Sequence, residues 1–123
     1  MSKIVRAANA MVSNSDKIGD VKKTENEYFF LYNDKYKWSI SYSSVDRSYA
    51  LFYYPGDASI EMLAAKSPDE WQNYNEYVRY SSKDLNSKEA NETFSELFRI
   101  IEEKAYGVDK ILDDIIKDDT ISF

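Results

Sequence analysis

The chain begins with apolar residues at helical spacing. They follow Ser2, a residue type that caps helix N-termini, and this pattern predicts a short helix over residues 3–13. The apolar residues of this helix are Ile4, Val5, Ala8, Met11 and Val12. Residues 14–26 have the composition of a loop, although an edge strand near Val21 also fits the pattern.

The most regular helical periodicity lies in the C-terminal region. Between Ala90 and Ile116, the apolar residues fall within one arc of a helix that turns about 100° per residue. The phase continues through Gly107, and a glycine inside a helix costs only about 1 kcal/mol relative to alanine. The pattern therefore predicts one helix over residues 88–117, packed on a sheet, rather than two helices. One end of this helix is a candidate for contact with a second copy of the chain.

A two-residue alternation replaces the helical spacing between residues 28 and 54, where Tyr and Phe concentrate. These residue types prefer strands, and the segment predicts three antiparallel strands, or four if the residues near Val21 join the sheet. Asn33 and Asp34 tolerate the positive φ of a two-residue hairpin turn. In that register Tyr32 faces Lys35, and Phe29 faces Trp38.

This register divides the side chains between two faces of the sheet. The predicted core face holds Phe29, Leu31, Tyr36, Trp38, Ile40, Tyr42, Leu51 and Tyr53. The second face holds Tyr28, Phe30, Tyr32, Lys35, Lys37, Phe52 and Tyr54. The five aromatic rings of the second face are either covered by a helix or available for binding, and the pattern leaves both alternatives open.

The most specific local signal lies in the middle of the chain. Ser67 is followed by Pro68 and, three residues after the serine, by Glu70, which together predict a capping box and a helix that starts at Pro68. Residues 77–80 fit either this helix or a short strand, and the helix is favoured. The predicted fold class is α+β, with a three- or four-stranded meander, a short N-terminal helix, one or two middle helices and a long C-terminal helix.

Composition narrows the range of protein classes. The 123 residues, 43% of them hydrophobic, predict a single domain over residues 1–123. No stretch is apolar enough to span a membrane, and Arg6, Asn9 and Ser13 interrupt the N-terminal apolar pattern, so a cytoplasmic location is expected. The chain has no cysteine and no histidine, which removes the thiol nucleophile, the commonest metal ligand and the usual proton shuttle at neutral pH.

Motifs for catalysis or metal binding are also missing from the sequence. It contains neither a P-loop nor a dinucleotide-binding fingerprint, and the aspartates of the C-terminal region lack the spacing of a calcium-binding loop. We therefore expect no enzymatic activity, no metal site and no cofactor.

Charge is distributed unevenly along the chain. Residues 57–123 carry sixteen Asp and Glu against eight Lys and Arg, whereas residues 1–56 have a net charge of +2. An acidic surface attracts basic partners and repels phosphate backbones. The leading hypothesis is thus a protein-binding module that uses an acidic helix face, Glu102, Asp109 and Asp113, against a basic partner.

Small acidic α+β proteins of this kind are similar, in general architecture and without a shared motif, to several classes of partner-binding protein. These are immunity proteins that block toxins, phage-encoded inhibitors of host defence and secretion chaperones. The alternative hypothesis is a binder of a small ligand or of single-stranded nucleic acid, because aromatic rings interleaved with lysines can stack bases. Its candidate residues are those of the second sheet face, from Tyr28 to Tyr54.

Overall fold

The computed structural model describes residues 2–121. In chain order its elements are α1 (Lys3–Ser13), a 3₁₀ turn (Ser15–Lys17), β1 (Ile18–Lys23), β2 (Glu27–Tyr32), β3 (Tyr36–Ser43), β4 (Ser48–Tyr53), α2 (Ile60–Ala64), α3 (Pro68–Gln72), β5 (Val78–Ser81), α4 (Ser82–Leu85), α5 (Lys88–Tyr106) and α6 (Val108–Ile121). The α+β class and the N-terminal helix are confirmed. Ser2 caps α1, since its Oγ accepts a hydrogen bond from the backbone N–H of Val5 at 3.4 Å.

The sheet has five strands within the described residues, where the sequence predicted three or four. All neighbours are antiparallel and follow the chain order β1-β2-β3-β4-β5. β1 confirms the alternative edge strand near Val21. The predicted continuation of a helix through residues 77–80 is wrong, because those residues fall almost entirely in β5. In a three-stranded meander, the outer backbone edges of β2 and β4 would have no strand to pair with. β1 and β5 supply these hydrogen-bond partners.

The hairpin between β2 and β3 differs from its prediction by one residue. Asn33 and Asp34 do adopt positive φ, 58° and 55°, but the loop also includes Lys35, so Tyr32 pairs with Tyr36. Phe30 therefore faces Trp38, where the two-residue turn placed Phe29. A shift of one residue moves every side chain of a strand to the other face. Between β3 and β4, Tyr42 pairs with Tyr49.

In the observed register, the side chains of β2 lie on the opposite faces of the sheet from those predicted, whereas Ile40 of β3 and Leu51 of β4 keep their predicted face. Tyr28 and Phe30 join Ile40 and Leu51 in one core, which α1 and α5 cover with Ala8, Met11, Phe94, Leu97 and Ile101. Phe29 and Leu31 belong instead to the second face. There they pack with Phe52, Tyr54, Ile60, Leu63, Trp71 and Tyr74, so α2, α3 and the adjoining loop cover this side of the sheet.

A long C-terminal helix that packs on the sheet is confirmed in α5, but its predicted continuation as one helix through residue 117 is wrong. Residues 88–117 contain α5 and most of α6, which are separated at Gly107, a left-handed residue with φ 64° that ends α5. The backbone N–H of Gly107 donates to the carbonyl of Lys104 at 3.2 Å, which satisfies one of the last helix carbonyls. The apolar spacing of the sequence continues across this break, but the backbone forms two helices.

None of the helices in the described part of the chain has the length and apolar character needed to cross a membrane.

Candidate functional site

The residues predicted to form an open aromatic face are divided between the two sides of the sheet. Tyr28 and Phe30 are buried in the core beneath α5, and the Tyr28 hydroxyl donates to Glu102 Oε2 at 3.0 Å. Burial and the adjacent Glu102 carboxylate raise the pKa of Tyr28. Tyr32 is half-buried, and Lys35 is exposed in the hairpin loop. These four residues therefore form no common binding surface.

The three other residues of that predicted face lie on the opposite side of the sheet. The Lys37 ammonium donates to the carbonyl oxygens of Gly56 and, at 2.6 Å, of Ala58. Lys37 thus holds the loop after β4 against β3. Tyr54 is buried, and its ring lies 6.4 Å from that of Phe52 and 6.0 Å from that of Trp71. Lys37 therefore attaches the loop and Tyr54 packs in the interior, so these residues do not form an open surface.

A buried polar network crosses the second face and was not expected from the sequence. Ser39 is fully buried and donates to Glu27 Oε2 at 2.7 Å, which leaves the Tyr54 hydroxyl, also 2.7 Å from Ser39 Oγ, as the donor to Ser39. Burial raises the pKa of Glu27, and the hydrogen bond from Ser39 opposes this effect. Burial and the Glu27 charge likewise raise the pKa of Tyr54. Ser39 Oγ is fully buried, and the network joins β2, β3 and the residue after β4 within the second face.

The three acidic residues predicted to share a helix face occupy different surroundings. Glu102 lies on α5 and accepts the hydrogen bond from Tyr28, so its carboxylate already has a partner within the fold. Asp109 and Asp113 are exposed on α6. The structure therefore divides the predicted acidic surface, and only its α6 part is fully open to solvent.

Helix α6 presents exposed apolar side chains. The exposed fractions are 53% for Ile111, 51% for Leu112, 60% for Ile115 and 63% for Ile116. Every side chain from residue 109 to residue 119 is exposed. This set differs from the apolar residues of α5, four of which, Ala90, Phe94, Leu97 and Ile101, are buried against the rest of the fold. We refer to Ile111, Leu112 and Ile115 as the α6 stripe.

The charges of α6 are arranged around this stripe. At about 100° per residue, Asp109 falls along one side of the stripe and Asp114 and Asp118 along the other. Lys110, Asp113 and Lys117 fall on the opposite side of the helix, roughly 150–170° from the middle of the stripe. The helix thus combines an apolar strip with an acidic border on both sides.

A depression of about 680 Å³ adjoins the junction of α5 and α6. Its charged lining residues are Asp16, Arg99, Glu103, Lys104, Asp109 and Lys110. Because acids and bases are mixed, this depression offers no potential of one sign to select a charged ligand. In the part of the chain that the structure describes, no three Asp or Glu side chains come together as a metal site would require.

Comparisons of this chain with protein-family models, with curated proteins and with solved structures find no match. Its function must therefore be inferred from the residues and their surroundings.

Proposed function

We propose that this protein is a non-enzymatic binding module that docks the α6 stripe into an apolar groove with basic edges on a partner protein. The observation that carries the proposal is the exposure of Ile111, Leu112 and Ile115 on a helix whose neighbour, α5, buries the same apolar phase. Amphipathic helices commonly bind partners by laying such a stripe into a groove.

The charges support a basic partner rather than a second copy of the chain. Two α6 helices paired through their stripes would bring the aspartates beside each stripe close to those of the other copy, and such like-charge contacts oppose association. A groove edged with Lys or Arg would instead attract them. The net charge of −8 over residues 57–123 extends this attraction to the approach of the partner.

Inhibition of a basic protein, or chaperoning of one, is the activity that this binding mode would serve. A cytoplasmic setting for the interaction stays a prediction from the sequence.

The first test is the oligomeric state of the purified chain. We expect sedimentation equilibrium to give a monomer, both for the unmodified protein and for a triple variant of the stripe, Ile111→Ser, Leu112→Ser and Ile115→Ser. A stable dimer that the triple variant dissociates would assign the stripe to self-association and overturn the proposal.

The second test identifies and then measures the partner. Proteins captured from the source cells by the unmodified chain, but not by the stripe variant, are purified and titrated against both. We expect a basic protein whose association rate falls as salt is added, and a further loss of rate when Asp109 and Asp114, one on each side of the stripe, are changed to Lys.

A matched control changes charge on the opposite side of the same helix. Lys110→Glu with Lys117→Glu should leave the complex intact, since neither lysine borders the stripe. Equal loss of binding in this control and in the stripe variant, or a cognate partner that binds both equally well, would contradict the proposal.

A further inference from the structure

An aromatic groove opens between α1 and the end of the sheet that α5 leaves uncovered. Its cavity of about 390 Å³ has five rings on the sheet side, those of Tyr32, Tyr36, Trp38, Tyr53 and Tyr80. The side formed by α1 consists of Ala7, Ala10 and Met11. Because two of these three residues are alanines, the helix does not fill the space above the rings. We call this cavity the aromatic groove.

A second cavity extends the aromatic groove along α1. It measures about 480 Å³, shares Ala7, Trp38 and Tyr80 with the first cavity and continues to Lys3 and Leu85. Pockets of a few hundred Å³ lined by aromatic side chains are typical of small-molecule sites. The aromatic groove thus has the size and lining needed to hold a planar ring system.

Trp38 lines both cavities. Its ring centroid is 5.0 Å from that of Tyr53, at an interplanar angle of 54°, and Tyr36 beside it is 39% exposed. The indole Nε1 is buried and has no hydrogen-bond acceptor in the described residues. A buried donor without an acceptor destabilises the fold, whereas a phenylalanine at this position would leave no donor unpaired.

The charged side chains at the aromatic groove include two lysines. Among the residues that the structure describes, no Asp or Glu lines either cavity. Lys3 lines the second cavity, and Lys35 Nζ lies 5.1 Å from the ring centroid of Tyr36. In a chain with a net charge of −6, a concave aromatic surface lined by Lys3 and bordered by Lys35, with no carboxylate in its described lining, favours an anion.

We propose that the aromatic groove binds a small planar aromatic molecule that carries an anionic group. The rings of Trp38, Tyr36 and Tyr53 contact the planar part, and Lys3 or Lys35 pairs with the carboxylate, sulfonate or phosphate. This site is separate from the α6 stripe and does not depend on the function proposed for it. It also differs from the sheet surface predicted from the sequence, with which it shares Tyr32 and the neighbouring Lys35.

The test uses three probes of one shape and different charge: 2-naphthoate, neutral 2-naphthamide and cationic 2-naphthylmethylammonium. Binding is followed by the indole N–H signals in ¹H–¹⁵N correlation spectra. The chain has two tryptophans, and Trp71→Phe identifies the Trp38 signal. We expect 2-naphthoate to shift the Trp38 signal and leave that of Trp71 in place. It should bind about fivefold more tightly than the cation, as expected for partly exposed lysines.

Variants separate the aromatic contact from the charge. Ala10→Leu keeps a good helix former at an exposed position and fills the groove, so it should abolish the shift without lowering the melting temperature. Lys3→Glu with Lys35→Glu should remove the preference for the anion. The matched control, Lys22→Glu with Lys23→Glu on β1, makes the same change in net charge away from both cavities and should leave the preference intact.

Three outcomes would overturn the proposal. The first is the absence of a Trp38 shift at millimolar 2-naphthoate, and the second is equal affinity for the three probes. The third is a mixed-sequence single-stranded oligonucleotide that binds the aromatic groove more tightly than 2-naphthoate or a nucleoside monophosphate, which would assign the site to nucleic acid instead. A nucleoside monophosphate that binds better than 2-naphthoate supports the proposal and places the anion on a phosphate.

Discussion

Helices α5 and α6 share one apolar phase and have opposite environments. On α5, Phe94, Leu97 and Ile101 are completely buried against the sheet and α1. On α6, Ile111, Leu112 and Ile115 are each more than half exposed. Periodicity in the sequence therefore identifies the apolar side of a helix. Whether another part of the protein covers that side depends on where the helix lies in the fold.

The two helices also differ in how much they contribute to the stability of the fold. Complete burial of a large aliphatic or aromatic side chain contributes about 1.5–3 kcal/mol, so α5 is a major source of the stability of this fold. α6 has 14 residues, and isolated helices of that length are only marginally stable in water. A partner that covers the α6 stripe would therefore add packing energy that the isolated chain does not have.

The largest expected effect comes from placing a charge at matched positions of the two helices. Ile101→Asp should lower the free energy of unfolding by about 3–5 kcal/mol, because it leaves an unpaired carboxylate in the core. Ile115→Asp on the α6 stripe should change it by less than about 0.5 kcal/mol. Urea denaturation measures both values. Equal losses would show that α6 is packed as tightly as α5 and would remove the contrast between them.

A smaller effect is expected at the residue that separates the helices. Gly107 has φ 64°, and a Cβ there would meet no atom within 4 Å, so strain in the backbone alone opposes a side chain. Gly107→Ala should destabilise the fold by about 1 kcal/mol. Gly107→Asn should cost less, since asparagine tolerates this conformation. Stabilisation by alanine, together with a gain of helical circular dichroism, would indicate one continuous helix instead.

The smallest effect compares a half-buried carboxylate, Glu27, with an exposed one, Asp113. Burial raises the pKa of Glu27 in the folded chain above its value in the unfolded chain, so the folded state binds more protons in that range. Stability contributed by protonated Glu27 is present at low pH and is lost as pH rises through the folded pKa. Glu27→Gln should therefore raise the urea midpoint at pH 7, because the amide removes the buried charge and still accepts the hydrogen bond from Ser39.

The gain from Glu27→Gln should shrink as the pH is lowered to the point where Glu27 is protonated in both states. Asp113→Asn on α6 is the control, and its free energy of unfolding at pH 7 should match that of the unmodified chain within about 0.5 kcal/mol. If the gain from Glu27→Gln instead grows on acidification, the pKa of Glu27 is lowered by folding rather than raised.

Local signals in the sequence predicted several elements closely. The helix after Ser2 has the predicted bounds, and the capping box of Ser67 and Glu70 is present, with Ser67 N–H donating to Glu70 Oε1 at 3.1 Å. Asn33 and Asp34 have the expected positive φ. Each of these features depends on interactions within a few residues of the chain, which is why residue types and spacing suffice to predict them.

The binding surfaces were less predictable because they combine distant segments. One additional loop residue, Lys35, moved Tyr28 and Phe30 from the predicted open face into the core. The aromatic groove joins Ala7 and Ala10 of α1 to Trp38, Tyr53 and Tyr80 of three strands. No spacing within one element brings such residues together.

The sequence by itself determined the α+β class, the apolar sides of its helices, the helix caps, the strand-forming segment and the acidity of the second half. These properties arise from local backbone preferences and from residue types, which do not require knowledge of distant contacts. Only the tertiary structure decided the sheet register, the addition of β1 and β5, and the covering of both sheet faces. It also decided that α5 is buried while α6 is exposed, because burial depends on which surfaces the folded chain brings into contact.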